Sequence, residues 1–302
     1  MPSILFSQSF SVKIDTIYNK SYSQNIQSIS EINGNKKKIT TFYRTGQIQS
    51  TESFINNKLD GQTLRWDING KKKEESIYSI GCLLKKTQWL SNGTTEFEEN
   101  YILIKVDTIC KSELDGKFIR NYSNGSPQTT GTYKNNKKNG IWTEYYENGT
   151  KKSVVNFNMD LKERKAEFWY RSGNIQRENN YIIDNKKELL DGKQTMFFEN
   201  GNKSECNNYK LGKKEGLCEE WFENGKKKSE IEYKKGQVNG NCKLWFDNGN
   251  IKQDSYYTMV YDSVKKYNKP QSEGKYILYN DMGLLQQTGF YLKGKENGLF
   301  TE

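Results

Sequence analysis

The chain contains no histidine in 302 residues. That absence excludes Ser-His-Asp and Cys-His machinery and every zinc site with an imidazole ligand. Its cysteines, Cys82, Cys110, Cys206, Cys218 and Cys242, show no C-x-x-C spacing. No apolar run approaches the roughly 18 residues that a membrane-spanning helix needs. No glycine loop is set before a helix to cradle phosphate, and the scattered Asp and Asn residues lack the spacing of a calcium loop. The start, MPSILFSQSF, has no basic n-region. A cytoplasmic protein is expected, with an exported form whose leader was trimmed as the alternative. Apolar residues are few, at 33%, whereas aromatics reach 13%. Aromatic rings are therefore expected to carry most of the apolar burial.

What is present is a 24-residue period. It shows in GIWTEYYENG (140–149), GLCEEWFENG (216–225) and GNCKLWFDNG (240–249), and in turn glycines at 125, 149 and 173 and at 201, 225 and 249. A fixed period of this size signals stacked repeats in which each unit contacts its neighbours. Eight residues after each turn glycine stands an aromatic, as in Phe157, Tyr181, Tyr209, Tyr233 and Tyr257. Four before it stands another, as in Trp169, Phe197, Trp221 and Trp245, with Asn121 the exception.

Asn-Gly between short aromatic and β-branched runs is a hairpin signal of the type I′ kind, with positive φ at both central residues. Each repeat therefore reads as one hairpin. The fold expected is all-β: an elongated, single-layer, twisted antiparallel sheet of about ten to eleven tandem hairpins. A two-residue turn at Asn224-Gly225 pairs Phe222 with Lys227 and brings Tyr233 opposite Gly216, where the ring would cover bare backbone. Alternation sends Trp221 and Phe222 to opposite faces, so both faces carry rings.

Residues 1–36 match the period poorly and read as an N-terminal cap or irregular segment; residues 37–302 read as the repeat domain. Three steps are longer than the rest. Their extra segments, 102–115, 182–191 and 258–273, occupy the same turn of the repeat and are expected at one edge, the side on which repeat arrays often bind. The chain stops at GLFTE, partway into another strand, which leaves an edge open for pairing at the C-terminus.

The residues just described resemble MORN repeats, and more closely the variant in bacterial proteins labelled YwqK-type antitoxins. Gly140, Trp142, Tyr145, Tyr146, Asn148 and Gly149 match the first half of its pattern; Tyr209, Gly212, Lys213, Glu215 and Gly216 match the second. The resemblance spans about residues 37–302. It implies a sheet of hairpins and a function in protein binding, scaffolding or toxin neutralisation.

The cysteines fit the repeat. Cys218 and Cys242 occupy equivalent strands about 9–10 Å apart, too far for a disulfide. Cys206, diagonal to Cys218, forms with it the one pair to check, and free thiols are the favoured reading. Glu219, Glu220 and Glu223, or Asp184 with Glu188, are the carboxylates that could support catalysis, but a solvated strand face accounts for them. No catalytic, cofactor or metal-binding residue is assigned. The net charge of +10 sits in turn lysines interleaved with acids. The function expected is non-enzymatic binding of another protein, in its sharpest form antitoxin-like occlusion. Trp221, Trp245, Tyr261, Lys265 and Lys266 are the candidate contacts. A scaffold at an anionic membrane surface is the alternative, a carboxylate-based enzyme stands further off, and nucleic acid is disfavoured.

Overall fold

A computed structural model describes residues 12–18, 26–106, 109–262 and 267–298. Strands account for all regular structure among these residues, and every pairing is antiparallel. The chain divides into two compact units, Met1–Gly149 and Thr150–Glu302. The division falls within the stretch expected as one repeat domain.

In the first unit, the strands run in chain order from Lys13–Tyr18 to Gly140–Tyr145. Lys13–Tyr18 pairs with Ile26–Asn33, which pairs with Lys36–Phe42. The described part of residues 1–36 is therefore regular and continues the ladder. In the second unit, the ladder runs from Lys151–Asn158 to Lys295–Glu296. The three long steps are lengthened hairpin arms. Thr95–Val106 folds against Ile109–Leu114, Ile175–Asp184 against Lys187–Leu190, and Ile251–Asp262 against Tyr267–Tyr279. In the second unit, both arms extend from the same end of their hairpins. Among the described residues, strand pairing satisfies the backbone along each arm.

The turn chemistry departs from expectation. At Phe222–Lys226, the Phe222 N–H donates to the Lys226 carbonyl at 2.8 Å, and the Gly225 N–H donates to the Phe222 carbonyl at 2.9 Å. Gly225 alone has positive φ, at 84°. This is a three-residue loop, a type I turn closed by a glycine in the left-handed region. The shorter pairing it creates, Trp221 with Lys227, slips by one at a bulge and becomes Glu220 with Ser229. The bulge restores the offset, so Gly216 still faces Tyr233 as expected. Turns with positive φ at both central residues lie at the opposite hairpin end, as at Leu211-Gly212 (49°, 77°) and Lys235-Gly236 (52°, 85°).

Gly216 is needed for its backbone. Its φ is +75°, and a Cβ there would meet nothing within 4 Å. It sits where the strand gains residues between the pairs Tyr209–Lys214 and Cys206–Glu219. The glycine that a ring does cover is Gly131, where a Cβ would fall 2.2 Å from Trp142. Phe118 and Trp142 stack 5.6 Å apart with Gly131 on the strand between theirs, and Tyr133 packs edge-on against both.

Most aromatics are only half-buried. Phe118 and Trp142 are the buried ones among the described residues. Among the positions closed off from solvent in the second unit are Ala166, Asn179, Gln194, Asn207, Cys218 and Cys242, all small or amide-bearing. These occupy one row on the face that also carries Tyr209 and Tyr233. Small side chains leave room for the larger rings of the next row to close over them. Burial pushes the Cys218 and Cys242 thiols and the Tyr209 and Tyr233 hydroxyls above their usual pKa values.

Candidate interaction surface

The hairpin ends are tied to one another by side chains. Asn224 Oδ1 accepts the Lys226 N–H at 3.0 Å, while its Nδ2 donates to the Asp247 carbonyl of the next turn at 3.1 Å. Asn200 and Asn248 make the same reach to Glu223 and Asp281. Tyr170 Oη donates to the Phe197 carbonyl at 2.8 Å, and in the first unit Tyr43 and Tyr122 do likewise to Trp66 and Tyr145. At the other end, where an acid precedes the opening glycine, its carboxylate accepts a backbone N–H from the next hairpin tip, as Asp191 does from Leu211 at 2.9 Å. The repeat's recurring polar residues are thus engaged in holding hairpin to hairpin.

The two faces of the second unit differ. On one, the acidic row is neutralised by lysines. Lys227 bonds both Glu219 and Glu230, and Lys165 bonds Glu167 and Glu178 at 2.8 Å each. Burial would lower the Lys227 pKa, but its two carboxylates raise it; Lys165 is raised by Glu167 and Glu178. Trp221 belongs to this face, half-buried, with Lys203 Nζ 5.9 Å and Lys227 Nζ 5.8 Å from its ring centroid. Trp245 occupies the equivalent place one repeat on and is also half-buried.

The other face carries two adjoining open grooves. One, of about 430 Å³, is bordered by Tyr170, Arg177, Met196, Phe198, Glu205 and Glu220. The next, of about 480 Å³, is bordered by Phe222, Ser229, Ile231, Leu244 and Phe246. They share Glu220 and Lys228, so together they form a trough across successive hairpins. The aromatic three residues before each turn glycine (Tyr170, Phe198, Phe222, Phe246) repeats along it. Trp221 and Trp245 touch its border from strand positions whose side chains belong to the opposite face.

Of the other candidate contacts, Tyr261 lies in the strand Ile251–Asp262, where its side chain is outside the described part, and Lys265 and Lys266 lie outside the described residues. The carboxylates do not converge. Glu219 and Glu220 face opposite sides of the sheet, Glu223 sits in a turn, and Glu188 binds Lys162 through the backbone N–H at 2.9 Å and Nζ at 2.8 Å. Among the described residues, no three Cys, Asp or Glu side chains are grouped to hold a metal ion.

Cys206 pairs with Glu219, so its side chain and that of Cys218 leave opposite faces, and both are free and buried. The bonded pair is Cys82 with Cys110, whose Cα atoms stand 6.0 Å apart. The repeat period gave no sign of it, because Cys110 lies in a lengthened arm.

This architecture defines a tandem β-hairpin repeat protein. Five segments match the family described as MORN repeat variant: residues 114–135, 138–159, 190–211, 214–235 and 238–258. Each segment starts within two residues of an opening glycine and contains one Asn-Gly turn or its equivalent. No curated protein shows a significant match to the chain. Among solved structures, the chain aligns with the crystal structure of TcdB2-TccC3 at 9% identity and a TM-score of 0.20, covering 94% of this chain and 18% of that one. It also aligns with that of TcdB2-TccC3-Cdc42 at 9% identity and a TM-score of 0.16, covering 95% of this chain and 22% of the other. The chain spans about a fifth of the length of these structures.

Proposed function

We propose that the protein is a non-enzymatic binding repeat whose second unit takes a segment of another protein along the trough between Tyr170 and Phe246. The observation that carries this reading is the trough itself: two adjoining grooves with an aromatic at each repeat, on a face where the hairpin ties leave those rings half-covered. Half-buried, rigid aromatics supply contact area at low entropic cost. Occlusion of a partner's working surface, as in antitoxin-like neutralisation, is the sharpest form of this reading and rests on the resemblance to YwqK-type repeats.

The test is affinity purification with the wild-type chain and with Phe222→Asp, followed by reconstitution of each captured protein with purified chain. A binary complex weakened at least tenfold by Phe222→Asp supports the trough. A complex indifferent to Phe222→Asp and Phe246→Asp overturns it. Salt-sensitive sedimentation with anionic vesicles, in the absence of any protein complex, would replace it with the membrane scaffold.

A further inference from the structure

We infer that Arg177 is a preformed anchor for a carboxylate carried by the bound polypeptide, a proposal that rests on the trough being a protein-binding site. Arg177 borders the first groove. Its guanidinium lies over the Phe168 ring, 4.2 Å from the centroid. Its Nε is buried and has no hydrogen-bond partner. The side chain forms no ion pair or hydrogen bond among the described residues. A guanidinium stays charged and presents its donors in a rigid fork. A carboxylate lying in the groove meets the outer N–H groups of the fork with two parallel bonds. Stacking on Phe168 already restricts the side chain, so less freedom is lost when an acceptor arrives.

The neighbouring acids do not serve as that acceptor. Across the strands the same row runs Phe168, Arg177, Met196, Glu205, Glu220. Met196 separates Arg177 from Glu205. Glu205 accepts from Asn207 Nδ2 at 3.0 Å, and Glu220 is paired with Lys228 at 3.1 Å. The groove is thus positive at Arg177 and negative two strands further on. That layout favours a single carboxylate over a phosphate, whose second charge would be repelled by Glu205. The occupant it fits is a protein segment with an Asp, Glu or C-terminal carboxylate over Arg177 and an adjoining apolar side chain against Met196 and Phe198.

The probe is N-acetyl-L-phenylalanine with a free carboxylate, compared with N-acetyl-L-phenylalaninamide, each titrated into the ¹⁵N-labelled full chain. The readout is the Arg177 Nε–H resonance. The carboxylate should shift it, with the amide at least tenfold weaker, and Arg177→Gln should abolish the difference at Met196 and Phe198. Phe168→Leu, which keeps the cation and removes its platform, should weaken the carboxylate response several-fold, and it serves as the second variant if Arg177→Gln fails to fold. Equal responses to acid and amide, or a response surviving Arg177→Gln, would overturn the proposal. Tighter binding of inorganic phosphate than of the carboxylate would overturn it in favour of a phosphate ligand. If the probe fails while Phe222→Asp still breaks the protein complex, the anchor is wrong and the trough stands.

Discussion

Glu215 Oε2 accepts the backbone N–H of Lys235 at 2.7 Å, from a residue 20 positions later in the chain. The same 20-residue step joins Asp60 to Ile80, Asp191 to Leu211 and Glu273 to Lys293, at 2.8, 2.9 and 2.9 Å. Beside it, the Gly236 N–H reaches back to the Lys214 carbonyl at 2.8 Å. These tight tips are therefore hung from the bulge of the hairpin before them. Glu215→Ala should cost about 1 kcal/mol, the usual worth of one such bond, and Glu215→Gln, which keeps an acceptor, less. Urea unfolding of the two variants measures this; equal stability of both with the wild type would mean that the clasp is dispensable.

Gly131 and Gly216 should fail for different reasons. At Gly131 a methyl group runs into the Trp142 ring, so Gly131→Ala should cost about 1–3 kcal/mol through overpacking. At Gly216 the space is open and the cost is the positive φ, about 1 kcal/mol. A Trp142→Ala background should relieve the first substitution and leave the second untouched. Thermal melts of the double-mutant cycles read out both couplings.

Glu188 supplies a pH dependence. Burial alone would raise its pKa from 4.5, but the Lys162 side chain and backbone N–H together hold it below that value. A carboxylate whose folded pKa is depressed stabilises the fold above its unfolded pKa and loses that contribution as pH falls through the folded one. The wild type should therefore exceed Glu188→Gln in stability at pH 6, by less than about 1 kcal/mol because the pair is partly exposed. The gap should close on going to pH 3. A gap independent of pH in denaturant titrations would show that packing, not charge, sets it.

The thiols should divide two to three. Cys206, Cys218 and Cys242 are buried and free, whereas Cys82 and Cys110 are bonded. With burial raising the Cys218 and Cys242 pKa values, thiolate is scarce at neutral pH and alkylation of the folded chain should be slow. Intact-mass analysis should show three labels after denaturation without reductant and five with it. Rapid labelling of the native protein at pH 7.5 would contradict the buried placement.

Local signals explain what could be read ahead of the structure. The spacing of Gly216 and Tyr233 brought them opposite each other because a bulge at the strand end offsets the longer turn. The turn type was not legible. Asn-Gly suits both a two-residue and a three-residue loop. In the structure, the Asn224 amide bonds the Asp247 carbonyl, a contact made only once the next hairpin is in place. Cys82 and Cys110 lie 28 residues apart in a stretch where the period breaks, so no equivalence between repeats linked them. Arg177 had no sequence signal, since a lone arginine in a strand is ordinary.

By itself the sequence determined the hairpin repeat, the all-β class and the alternation that gives each face its own rows, because period, turn residues and strand parity are properties of neighbours along the chain. The tertiary structure alone decided which rows are closed off, which rings border an open trough, and that Arg177 lies stacked and unpaired beside them. Burial and electrostatic pairing depend on what the adjacent hairpins place around a side chain, and the ties between hairpins reach partners as far as 33 positions away.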